Sequence, residues 1–292
     1  MVERAGRLGI PGATIVAGGF REVGAGGQAL NERLLSIANA HDMAVIGPNT
    51  LGFSTFHHGL HSIFWHLPAI AGPVAIISQS GGVGLTMGYA LRDLECGLSH
   101  FIGVGNRTVL DFVDYLDVLR DDAKAAVFLL FVEGVENPRL LYEAIRETTS
   151  QKPVVVYKAG KQEETSKATA THTGSLAGEY AIYKAMFKQA GAFEAESAWD
   201  AAVAAKALSM APSPQGKRLC ALTFTAGPCI VAMDKLVANG WELPDLRPDT
   251  KSRIMSIIGE KTPIEIQNPI DLTGPGFLPK TYVPVLETVL QE

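Results

Sequence analysis

The 292-residue chain is 47% hydrophobic and 19% charged and carries 30 glycines, a balance that excludes a disordered or fibrous protein and leaves room for two domains. Its formal charge of −5, pI near 5.8 and lack of any dense Lys/Arg run exclude nucleic acid as a partner. The longest apolar run, residues 125–132, is too short to span a bilayer, and Cys96, Cys220 and Cys229 have neither a disulfide framework nor metal-ligand spacing, so no membrane and a cytoplasmic setting are expected.

In chain order, residues 10–20 read as a buried strand ending in glycines, 30–41 as an amphipathic helix, and 43–46 as a second strand closed by Gly47-Pro48-Asn49-Thr50-Leu51-Gly52. Residues 1–54 are expected to be a partial Rossmann-like domain, since a self-sufficient nucleotide-binding half needs another βα unit. Residues 55–72 hold His57, His58, His61 and His66 among aromatic residues. No cysteine or acidic residue accompanies them, so this stretch is read as a linker and no metal is expected.

From residue 73 to 210 strand-length apolar runs alternate with helical periods. Strands are predicted at 74–78, 98–104, 125–132 and 154–158, with helices at 83–94, 110–120 and 139–148 between them. Helices at 180–190 and 198–209 follow. Alternation on this scale predicts an α/β fold, a flavodoxin-like parallel sheet covered on both faces. After a Pro-rich break at 212–216 the scheme restarts with a strand at 218–224 and a helix at 229–239. Residues 217–292 are thus expected to be a second flavodoxin-like domain, incomplete.

In open parallel sheets ligands gather beyond the carboxyl ends of the strands. One such end, Ser78-Gln79-Ser80-Gly81-Gly82, opens directly into a helix. Bare glycine N–H groups and a helix N-terminus suit phosphate, although a serine N-cap before glycine is also ordinary helix punctuation. Glu133 ends an apolar strand and is either a solvated exit residue or a carboxylate that orients an imidazole, with Glu136 the weaker candidate for the same task. Asn49, Asn106 and Lys158 are candidate contacts for substrate or coenzyme, and Asn106 and Lys158 equally fit a turn residue and a surface lysine. His172, in Thr171-His172-Thr173-Gly174-Ser175, has no bulky neighbour to cover it and is either a turn residue or a phosphoryl carrier.

Together these pieces resemble one family, the ADP-forming acyl-CoA synthetases related to the succinyl-CoA synthetase α subunit. The matching segments are residues 47–52, 77–82, 104–106, 132–134, 158–161, 171–178, 187–191 and 268–274, in the family's order. The resemblance implies a relay in which acyl-CoA and phosphate give acyl phosphate and CoA, a histidine takes the phosphoryl group, and ADP or GDP receives it. It makes His172 the carrier, Ser78 to Gly82 the phosphate loop and Glu133 the carboxylate that holds the imidazole. It also implies coenzyme A as substrate, ADP/ATP and Mg on an ATP-grasp β subunit or domain, a small carboxylic acid as acyl donor, and an oligomer. The family's first glycine loop has no counterpart in residues 1–54, and Phe224 makes the loop at 224–229 less glycine-rich than the family's. A rival reading is a catalytically idle CoA- or acyl-binding regulatory module, as in proteins that join this architecture to an acetyltransferase domain.

Overall fold

An apolar stripe on a glycine-led helix and two short strands build the N-terminal layer of the computed structural model, which describes residues 1–162, 165, 179–210, 214–259 and 262–291. Helix α1 (Val2–Arg7) precedes β1 (Gly12–Thr14), a 3-10 turn (Arg21–Val23), α2 (Ala25–Ala40) and β2 (Ala44–Ile46). β1 and β2 pair in parallel, and Leu34, Ala38, Met43 and Val45 are buried between helix and strands. The first strand is shorter than residues 10–20 suggest and is not buried: Gly12 is exposed, and Ala13 and Thr14 are half-buried. Gly27 is required at the start of α2, where a Cβ would lie 1.7 Å from Phe20 O.

The following elements form a seven-stranded sheet. They are β3 (Gly52–Thr55), β4 (Leu60–Ile63), β5 (Ala71–Ser78), α3 (Gly81–Asp93), β6 (Leu98–Gly103), α4 (Phe112–Arg120), β7 (Val127–Val132), α5 (Pro138–Thr149), β8 (Val154–Lys158), α6 (Tyr180–Gln189), β9 (Phe193–Ala195) and α7 (Ala198–Met210). Strand order is β4-β3-β6-β5-β7-β8-β9, and the five strands from β6 to β9 are parallel. Their order is the flavodoxin-like 2-1-3-4-5, in which ligands sit where the connections diverge, between the first and third strands.

The stretch at 55–72 is not a bare linker. β3 and β4 form an antiparallel hairpin, and β3 also pairs antiparallel with β6, closing that edge of the sheet. Strands of four residues with polar side chains and imidazoles carry too little alternation to stand out in sequence. The histidines serve locally: His57 Nε2 donates to Gly72 O at 3.0 Å, and the His61 ring packs edge-on against Phe56. Among the described residues no group of three or more His, Cys, Asp and Glu could hold a metal ion.

β7 shows how the sheet is buried on both faces. Phe128, Leu130 and Val132 join Phe112, Leu116, Leu141, Ile145, Tyr183 and Phe187 beneath α4, α5 and α6. Val127, Leu129 and Phe131 point the opposite way, toward Met87, Leu91, Ala201, Ala202 and Ala205 of α3 and α7. Burying a Leu or Phe side chain contributes about 1.5–3 kcal/mol, so this double core supports the sheet without help from the loops. α3 lies unusually close to it, since a Cβ at Gly84 would meet Phe101 and the Ser78 Cβ at 3.0 Å.

The chain divides into two compact units, Met1–Pro212 and Ser213–Glu292. The second contains β10 (Leu222–Thr223), α8 (Ala226–Ala238), α9 (Pro248–Ile258), β11 (Ile270–Asp271) and α10 (Pro279–Val289), with β10 and β11 parallel. Leu246, Ile254, Ile266, Ile270, Leu272 and Val285 form its buried apolar cluster among the described residues. The strand expected over 218–224 is reduced to β10 and an isolated bridge from Arg218 to Glu242. Asn268 ties these segments together: its Oδ1 accepts from Ala221 N at 3.1 Å, while Nδ2 donates to Leu219 O at 2.7 Å and Pro244 O at 3.1 Å. No helix among the described residues is long and apolar enough to cross a membrane.

Candidate functional site

Strand register sets the site. Ser78 pairs with Gly103 on one side and Phe131 on the other, and Val132 pairs with Lys158, so the ends of four strands lie along one edge of the sheet. β5 leads into α3 on one face and β7 into α5 on the other, so Ser78–Gly82 and the loop at 133–136 flank the switch point of the strand order, where parallel sheets form their ligand crevice.

α3 begins where a serine caps it. Ser80 Oγ accepts from Val83 N at 3.3 Å, and the first helical bond runs from Gly84 N to Ser80 O. The N–H groups of Gly81 and Gly82 precede that bond and have no acceptor within the helix. Gly82 is exposed and has nothing closer than Ser80 Oγ, at 4.0 Å, to the place of a Cβ. Thirteen aligned peptide dipoles add partial positive charge there. This end can therefore receive an anion on backbone donors alone.

Ser78 and Gln79 do different work from the phosphate contact expected of them. Ser78 is fully buried and its Oγ donates to Ser80 O at 2.6 Å, bending the chain into the cap. Gln79 spans the crevice instead of facing it. Its Oε1 accepts from Glu133 N at 2.7 Å and Gly134 N at 3.2 Å, and its Nε2 donates to Gly134 O at 3.0 Å. One amide thus clamps the backbone that carries Glu133. Tyr183 adds a further tie from α6, its hydroxyl accepting from Val135 N at 3.1 Å.

Lys158 also holds this loop, and is not the surface lysine that the sequence allows. It is 1% exposed, and Nζ donates to Glu133 O at 2.7 Å and to Ala159 O, 4.6 Å from the centre of the Tyr183 ring. Burial pushes its amine down to about 8, against the opposing pull of Glu133 and Glu194. Because the folded value lies below the unfolded one, the folded chain binds fewer protons above pH 8, and stability from this group rises with pH between about 8 and the ordinary lysine value of 10.5. Wild type is therefore expected to gain about 2 kcal/mol on Lys158→Met between pH 7.5 and 9.5. Denaturant unfolding of both proteins at the two pH values measures this, and an unchanging difference contradicts it.

Asn49 and Asn106 belong to a separate network that joins the N-terminal layer to the sheet. Asn49 is exposed, with φ 57°, and its Nδ2 donates to Asn106 Oδ1 at 3.4 Å. Asn106 is buried, and its Nδ2 donates to Glu22 Oε2 at 2.5 Å. Burial opposes ionisation of Glu22, but hydrogen bonds from its own backbone, Asn106, Gly19 and Phe20 outweigh it and hold the carboxyl below its usual range. Of these two asparagines only Asn49 presents itself to a ligand. Arg107, with φ 55°, donates to Asp111 Oδ2 at 2.7 Å and Gly134 O at 2.9 Å, reaching the same loop.

Arg21, Glu22, Arg107 and Tyr183 were not singled out from sequence. The one available signal was a charged pair, Arg21-Glu22, inside the glycine-rich segment between strand and helix. His172 and its neighbours 171–178 lie outside the described residues.

Comparison with known proteins agrees with this architecture. The family model described as the succinyl-CoA ligase like flavodoxin domain matches residues 71–208. The α subunit of acetate–CoA ligase [ADP-forming] II from Pyrococcus furiosus is 36% identical over 267 residues, covering 91% of this chain and 58% of that subunit. A 4-hydroxybutyrate–CoA ligase [ADP-forming] from Nitrosopumilus maritimus is 28% identical over 280 residues, 94% of this chain and 39% of that enzyme. Among solved structures, the dinucleotide-forming acetyl-coenzyme A synthetase 1 of Ca. Korarchaeum cryptofilum, in complex with phosphate and ADP, superposes with a TM-score of 0.88 at 29% identity, over 99% of this chain and 69% of that one. This chain thus spans less than three fifths of the curated relatives it matches. Residues 71–208 are a succinyl-CoA ligase-like flavodoxin domain, and the chain belongs to the family of ADP-forming acyl-CoA synthetases through its α region.

Proposed function

We propose that the chain is the α-type part of an NDP-forming acyl-CoA synthetase, interconverting acyl-CoA, phosphate and ADP with acid, CoA and ATP. The observation that carries this reading is the adjacency, through Gln79, of an anion-ready helix end at Ser80 to Gly82 and a clamped loop bearing Glu133. Phosphate displaces CoA from the thioester, giving an acyl phosphate and the thiol. His172 then attacks phosphorus, the carboxylate departs, and phosphohistidine remains. The N–H groups at the start of α3 stabilise charge on the phosphoryl oxygens, and Glu133 orients the imidazole and balances the positive charge that grows on it.

The backbone donors of Gly81 and Gly82 fit a phosphate, and exposed Asn49 borders the N-terminal layer to which we assign coenzyme A. ADP/ATP and Mg are assigned to an ATP-grasp β subunit or domain, and with it the chain forms an oligomer. The substrate is a small carboxylic acid. The setting is cytoplasmic, in keeping with free thiols at Cys96, Cys220 and Cys229. The idle regulatory module is not favoured, because the named relatives are ligases.

The test is transfer of label from radioactive phosphate to the chain. Incorporation is expected only when an acyl-CoA is also present, with CoA released in proportion. ADP and an ATP-grasp partner should then remove the label as ATP. Labelling that ignores acyl-CoA contradicts the proposal.

A further inference from the structure

Arg21 sits in the turn after β1 with its side chain 7% exposed. Its Nη1 donates to Glu136 Oε1. Its Nε and Nη2 are buried, and among the described residues neither has a hydrogen-bond partner. These two nitrogens lie on the same side of a guanidinium. The unpaired edge is thus a two-donor fork whose spacing matches the two oxygens of a carboxylate or phosphate. Buried donors without acceptors are rare in folded proteins and call for an explanation.

The surroundings favour an anion. Arg107 is close enough that, after burial itself, its charge is the next cause weakening Arg21's hold on its proton. Arg107 is held by Asp111 and Gly134 O and so contributes a fixed positive charge beside the fork. Glu136 engages Arg21 on the opposite edge only, and is 66% exposed. Through Glu136 and Gly134 both arginines border the loop that carries Glu133.

We propose that Arg21 is a substrate-binding residue that receives an oxyanion bidentately on its Nε–Nη2 edge. This rests on the acyl-CoA synthetase reading, which supplies two sources of that chemistry: the carboxylate of the acid substrate and the phosphates of coenzyme A. The fork is closed to water in the unliganded chain.

Calorimetric titration of the full chain with acetate and, separately, with coenzyme A tests this. Arg21→Gln should raise Kd for one probe at least about tenfold and leave the other within about twofold, which also names the source. Glu136→Gln, which frees Nη1 and keeps the fork, should bind that probe as tightly as wild type or tighter. If Arg21→Gln does not fold by circular dichroism, Arg21→Lys, which keeps the charge but has no fork, should show the same selective weakening. Equal affinities in wild type and the Arg21 variant for both probes overturn the proposal. So does weakening by Glu136→Gln to the same extent, which reduces Arg21 to a structural partner of Glu136. Neither probe requires ATP, a partner or phosphorylation. A chain that is labelled with phosphate yet binds without regard to Arg21 refutes this inference alone, and Arg21-dependent binding without labelling refutes the relay alone.

Discussion

Gln79→Leu is expected to destabilise the Met1–Pro212 unit by about 2–6 kcal/mol and to slow phosphoryl uptake at least about a hundredfold in whatever fraction remains folded. Leucine fills much the same volume but accepts nothing. Glu133 N and Gly134 N, both paired with Gln79 Oε1, are left in a buried site without acceptors, at about 1–3 kcal/mol each. Gly134 O keeps Arg107, and Glu133 O keeps Lys158, so the loop is loosened and not released. A carboxylate that has to orient an imidazole tolerates little of this, because displacement of about 1 Å can cost a hundredfold in rate. Urea unfolding gives the first quantity, and the rate of phosphate incorporation at a temperature where the variant is folded gives the second. Wild-type incorporation in a destabilised but folded variant separates the clamp from the chemistry and contradicts the positioning role.

The parallel sheet was legible because β5 to β8 are short, nearly uniform apolar runs separated by helical periods. Residues 127–132 have no other reading once burial on both faces is allowed. The hairpin at 52–63 was not legible, since four-residue edge strands rich in hydroxyls and histidines obtain their pairing from β6 and not from a pattern of their own. At the site, local rules worked where the interaction is local. Ser80 before two glycines announces a capped helix, and the structure caps it there. Gln79 looked like part of the same anion loop because its partners lie 54 and 55 positions away and only the register of β5 against β7 brings them together. Lys158 misled for the same reason. A lysine at a strand exit is usually solvated, but α6 lays Tyr183 over this one.

We propose that the strand ends of β5 and β7 serve a phosphohistidine at position 172. A histidine meets the needs of that step: a neutral imidazole nitrogen attacks phosphorus near neutral pH, and the product still transfers its phosphoryl group onward. His172→Asn keeps a polar side chain of similar reach but has no nucleophile. Circular dichroism and urea unfolding of His172→Asn check that the sheet is folded before the label is counted. The most direct measurement is incorporation of labelled phosphate from Mg-ATP and an ATP-grasp partner, with the product tested for acid lability and the labelled residue located by peptide mapping. Wild type is expected to carry acid-labile label at His172, and His172→Asn to lose at least about a hundredfold of it. Undiminished label in that variant, or label that survives acid, would contradict it.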